Sequence, residues 1–143
     1  MSVAMPPDAA VWWLRLALGD LAAARGLLAV GGVAPRQVAY LAQQAAEKAL
    51  KATVALEGTE PTPTHDLIYL IARCPPEAAL REVELDIVAL SAAQTAARYP
   101  DPEDLPYEHD EAELLVRDAT RLLGAVVDHF NRRGIAGSDL TPA

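Results

Sequence analysis

The sequence predicts an all-α fold, an up-and-down bundle of about four long helices plus a short one. Three observations lead there. Hydrophobic residues make up 52% of the 143 residues but aromatics only 5%, so the core must be built from Ala, Leu and Val. That composition suits closely packed helices better than a sheet, where β-branched and aromatic residues are enriched. Apolar residues recur at three- and four-residue steps over long stretches, and no strand pair is convincing. Proline and glycine fall between these stretches and punctuate them.

Taken in order, Pro6-Pro7-Asp8 is a helix start, since proline is tolerated in a first turn and an acid complements the dipole there. Trp13, Leu16, Ala17, Leu21, Ala24, Leu27 and Leu28 then mark a first helix, ended by Gly31-Gly32. Pro35 opens a second that runs to Glu57-Gly58, and the short connection makes the two an antiparallel hairpin. Residues 58–65 are too rich in Pro and Thr for regular structure. A short helix with Leu67, Ile68, Leu70 and Ile71 follows, and Pro75-Pro76 interrupts it. The next helix is expected to carry Leu80, Val83, Ile87, Leu90 and Gln94 on one face and to end near Ala97. Pro100, Pro102 and Pro106 keep residues 99–108 out of helix. A last long helix begins near His109 or Asp110, with Leu115, Ala119, Leu122, Val126 and Phe130 toward the core. The reading is one domain over residues 1–143, with its core at about 8–133 and a flexible tail at 134–143.

Composition narrows function as well. The formal charge of −8 argues against non-specific attraction to nucleic acid, which needs clustered Lys and Arg. Apolar runs are broken well before membrane-spanning length, and residues 1–8 have no signal-peptide pattern. Cys74 is the one cysteine, so no internal disulfide forms. A cytoplasmic protein is expected, with no cofactor and no metal site. Gly31-Gly32 has neither a preceding strand nor the neighbouring Lys-Ser/Thr of a phosphate loop. The acid pairs Glu82/Glu84 and Glu111/Glu113 are two residues apart and diverge on a helix.

Residues 40–52, Tyr-Leu-Ala-Gln-Gln-Ala-Ala-Glu-Lys-Ala-Leu-Lys-Ala, say most about function. Leu41, Ala42, Ala45, Ala49 and Ala52 form a stripe small enough for another helix to come close. Tyr40, Gln43, Gln44, Glu47, Lys48 and Lys51 are expected on an exposed opposite face, with Glu47 and Lys51 paired one turn apart. Of the three histidines, His65 lies where Thr64, His65 or Asp66 can cap the short helix. His129, late in the last helix, suits a structural role near the negative end of the dipole. His109 faces Arg98 across the proline-rich stretch.

Trp12-Trp13-Leu14, Asp20-Leu21, the Gln-Gln-Ala-Ala-Glu-Lys-Ala-Leu-Lys run, Thr64-His65-Asp66-Leu67 and Arg98-Tyr99-Pro100 occur in that order. The series resembles the HEPN domain (higher eukaryotes and prokaryotes nucleotide-binding) over roughly residues 11–130. The resemblance implies a HEPN-like helical bundle, a homodimer and, commonly, a minimal nucleotidyltransferase as partner in a toxin–antitoxin-like pair. It also implies nucleotide or RNA binding, with Lys48, Lys51, Arg98 and Tyr99 as candidate contacts, either beside the partner role or as a stand-alone module. A further alternative is a metal-independent ribonuclease toxin. Its base, His109, would take the 2′-hydroxyl proton and its cation, Arg98, would stabilise the phosphate. Nuclease members place the Arg and His roughly four to six residues apart, a pairing suited to this chemistry. Here ten residues separate Arg98 from His109, and seven separate Arg121 from His129. The ten include the acids Asp101, Glu103, Asp104 and Glu108, which repel phosphate.

Overall fold

The structure is a computed structural model describing residues 7–31, 34–96, 107–135 and 137–143; among these every regular element is helical. The order is α1 (Pro7–Val30), α2 (Pro35–Leu56), α3 (Leu67–Arg73), two 3₁₀ turns (Pro76–Ala78 and Leu80–Glu82), α4 (Ile87–Ala96), α5 (His109–Arg132) and a final 3₁₀ turn (Gly137–Asp139). No described helix is long and apolar enough to cross a membrane.

Gly31 and Gly58 take left-handed φ values of 75° and 83° at the ends of α1 and α2, which glycine adopts without a Cβ penalty. Helices α1 and α2 pack along each other in the most extensive contact between elements among the described residues. From α1 the buried side chains are Ala10, Leu14, Ala17, Leu21 and Ala24, steps of four and three that trace one face. Trp13 and Leu16, expected on that face, are half-buried at its edge.

Helix α2 is the central element, packed by α1, α3, α4 and α5. Its alanines 42, 45, 49 and 52 have no exposed surface, as the small-residue stripe requires. The opposite face departs from expectation. Gln43, Glu47 and Lys51 retain only 0%, 4% and 7% exposure where a solvated row was expected. The cause is long-range: His65, near the end of the α2–α3 loop, and Trp13 of α1 cover it.

The short α3 begins at Asp66, whose Oδ1 accepts from the Ile68 and Tyr69 backbone N–H groups. The following helix does not start at Leu80 as expected. Ala79 adopts a left-handed φ of 54°, Val83 is extended, and α4 begins only at Ile87. Asp86 Oδ1 accepts the Ala89 N–H at 3.0 Å there. Leu80, Leu90 and Gln94 are nevertheless buried, while Val83 and Ile87 are half-buried, so the apolar pattern marks most of the inward positions but not the backbone that delivers them.

In α5 all five expected core positions, Leu115, Ala119, Leu122, Val126 and Phe130, are buried, and the helix packs on α2 and α1. Residues 137–143, expected as a loose tail, lie across α1. Ala143 N–H donates to Arg15 O at 2.9 Å, and Leu140 is buried. A Cβ on Gly19 would fall 1.8 Å from Ala143 O, so only glycine admits this close passage.

Candidate functional site

Gln43, Glu47 and Lys51 stand one above the other at four-residue steps on α2. They converge on the Glu47 carboxylate. Its Oε2 accepts from Lys51 Nζ at 3.1 Å, and its Oε1 accepts from Gln43 Nε2 at 3.3 Å and from His65 Nδ1 at 2.8 Å. Gln43 also donates to the His65 carbonyl at 3.2 Å. The result is a buried carboxylate with three donors, tying α2 to the entry of α3. Burial of a charge demands such partners. The His65 side chain remains 58% exposed, a surface imidazole held by an interior acid. Sequence spacing showed the Glu47–Lys51 pair; it could not show that His65 closes on the same carboxylate.

Both lysines offered as anion contacts are already engaged. Lys51 pairs with Glu47 and lies 5.6 Å from the centre of the Trp13 ring. Lys48 Nζ is 2.5 Å from Asp20 Oδ2 of α1. Each would have to surrender a carboxylate to meet a phosphate.

His109 is the first residue of α5 and its side chain is 45% exposed, with Nε2 3.5 Å from Glu113 Oε2. Glu108, Asp110 and Glu111 surround it in sequence, and Glu111 turns back to accept the Glu108 N–H at 3.2 Å. The positive end of the α5 dipole is thus already served by acids. Arg98 and Tyr99, the other candidate residues, lie outside the described residues.

His129 and Cys74 have structural roles. His129 is buried, its Nε2 makes no hydrogen bond, and Glu57 Oε1 is 4.0 Å away. Burial, then the Arg133 and Arg132 guanidinium groups, hold its pKa below 6.5. Burial pushes the Cys74 thiol up to about 12, which rules out a resting thiolate nucleophile. Among the described residues no group of three or more His, Cys, Asp and Glu could hold a metal ion.

The family model of the HEPN domain matches residues 10–130, a span that runs from the first turn of α1 to the end of α5. The chain belongs to the HEPN domain family. Two solved structures are similar in both sequence and fold. TT1696 from Thermus thermophilus is 29% identical, with a TM-score of 0.72, over 85% of this chain and 98% of that one. ST0689, described as an archaeal HEPN homologue, is 28% identical, with a TM-score of 0.62, over 82% and 93%. No curated protein shows significant similarity. In this HEPN domain the Gln-Gln-Ala-Ala-Glu-Lys run and the Thr-His-Asp-Leu run meet in space, through the bonds of Glu47 and Gln43 to His65.

Proposed function

We propose that this HEPN domain acts by binding protein: as a homodimer, and as the partner of a minimal nucleotidyltransferase in a toxin–antitoxin-like pair in the cytoplasm. The observation that carries the reading is electrostatic. Lys48 and Lys51 are paired with Asp20 and Glu47, and His109 stands among Glu108, Asp110, Glu111 and Glu113. A phosphate approaching either place meets compensated cations or like charge, whereas a protein surface meets a helical scaffold of fixed shape. Arg98 and Tyr99 stay with the nucleotide- or RNA-binding reading, secondary to protein recognition.

The test is co-elution. The purified protein is mixed with a minimal nucleotidyltransferase encoded beside it and passed over a sizing column with light-scattering detection. A joint peak whose mass equals a stoichiometric complex is expected. Separate peaks at micromolar concentration would remove the nucleotidyltransferase from the proposal.

A further inference from the structure

From Leu114 onward, the outward side of α5 plays no part in the sites described above. Leu114, Arg117, Arg121, Gly124, Asp128 and Asn131 are all exposed there. They follow one another at alternating three- and four-residue steps, the spacing of a seam along which a second helix can lie. On an ordinary helix this is the solvated stripe, and three features set it apart. Leu114 leaves 49% of its surface open. Gly124 stands in the helix interior, where glycine is unfavourable, and a Cβ placed on it would meet nothing within 4 Å. No contact within this chain calls for glycine, whereas the close approach of a second backbone would. The charges, finally, are not spent on one another. Asp128 makes no hydrogen bond or ion pair among the described residues, and Arg121 donates to an uncharged acceptor, the Glu84 carbonyl, at 3.3 Å. The Arg117 side chain is 53% exposed.

The order of the charges selects the occupant. Laid antiparallel against a copy of itself, α5 has one register in which Arg117 faces Asp128 of the second copy. The same register sets Arg121 against Gly124 and Leu114 against Asn131, because all three pairs share one midpoint, level with Leu122 and Leu123. A two-fold axis through that point makes every contact twice. Other registers of the seam fail. A shift of one heptad in one direction sets Arg117 against Arg121 and Asp110 against Asp128, and a shift in the other direction leaves no opposite charges facing. A parallel pair would set each charge beside its own copy. The exposed charges from Glu113 to Asn131 are Glu113, Arg117, Arg121 and Asp128, which cancel. A second copy therefore meets a neutral face, although each chain carries −8 in all.

We propose that the outward face of α5 is where a second copy of this chain docks, the two α5 helices lying antiparallel with Arg117 of each paired to Asp128 of the other and Arg121 lying over Gly124. Leu114 and the half-buried Ala125 and Val127 supply apolar contact. An exposed ion pair adds little affinity, so the charges fix the register and reject other arrangements, while the glycine lets the helices come close. The proposal rests on the homodimer reading above and gives it a face.

The test exchanges charges across the axis. Arg117→Asp and Asp128→Arg are made separately in the full chain, and each is studied alone and in an equimolar mixture. Light scattering on a sizing column gives the assembly, and native mass spectrometry gives its composition. The parent should be a dimer. In either variant alone, like charges face each other at both symmetry-related contacts, and the dimer dissociation constant should rise by about ten-fold or more. The mixture should regain the dimer as one copy of each variant, since every such contact then joins opposite charges. Gly124→Phe adds a side chain where this chain has nothing within 4 Å. It should therefore melt like the parent yet dimerise more weakly, and it tests the face even if a charge variant folds poorly. A parent dimer that tolerates both charge variants, a mixture that fails to recover it, or a dimer unchanged by Gly124→Phe would overturn the α5 face and leave the homodimer reading standing. A monomeric parent would overturn both.

Discussion

Glu47 is the residue on which the polar interior depends, because three donors converge on a carboxylate with almost no access to water. Removing it strands the Lys51 ammonium, itself 7% exposed, and an unpaired buried charge is strongly destabilising. Glu47→Ala should therefore cost about 3 kcal/mol or more in urea unfolding. A loss no larger than that of an ordinary surface substitution would mean the network opens readily to solvent. His129 gives a prediction in pH. Its folded-state pKa lies below 6.5 because burial and two guanidinium groups disfavour the imidazolium. Its stabilising contribution is thus complete above pH 6.5 and is lost as the pH falls through the lowered folded value, the unfolded chain binding the proton first. Thermal melts at pH 7.5 and at about pH 5.5 should show a fall for the parent protein that His129→Phe reduces. An identical fall in both would assign the effect to other groups.

At the scale of the element, two changes test how the helices are set. Asp66 satisfies two backbone donors at the start of a helix of seven residues, so Asp66→Ala should lower stability by about 1 kcal/mol in chemical denaturation. No loss would show that Thr64 takes over, whose Oγ1 already accepts the Asp66 N–H at 3.2 Å. Ala49 has no exposed surface on the helix at the centre of the bundle. Ala49→Leu must push α2 from its neighbours, at a cost of about 1–3 kcal/mol, and an unchanged melting temperature would contradict the packing. These elements also show what could be read in advance. The three- and four-residue steps of α2 and α5 translate directly into burial, so their extents and the α5 core positions were legible. For α1 the extent was legible, and Ala17, Leu21 and Ala24 of the expected stripe are buried, whereas Ala10 and Leu14 take the inward places before them and Trp13, Leu16, Leu27 and Leu28 are half-buried. Leu80, Val83 and Ile87 mimic the same spacing without one continuous helix, because a left-handed Ala79 and an extended Val83 interrupt the backbone, and apolar spacing carries no record of φ. Gln43, Glu47 and Lys51 read as a solvated row since polar residues normally face water. Their burial depends on His65 and Trp13, contacts no local pattern contains.

For the whole molecule, the proposed function rests on assembly and charge. Trp12, Val30, Ile68, Val88 and Leu114 expose about half or more of their surface, apolar area open to a second copy of the chain. A two-fold dimer that covers part of it is expected in light scattering, and a monomer at micromolar concentration would contradict it. Family membership fixes the scaffold while leaving its use to the surface, and here the surface has a net charge of −8, with the two candidate lysines already paired. The central claim is that such a domain binds protein and does not cut RNA. Incubation of the purified protein with end-labelled single-stranded RNA, alongside Arg98→Ala and His109→Ala, tests it most directly. The account predicts no cleavage above buffer by any of the three; cleavage by the parent that both substitutions abolish would contradict it and establish a ribonuclease toxin.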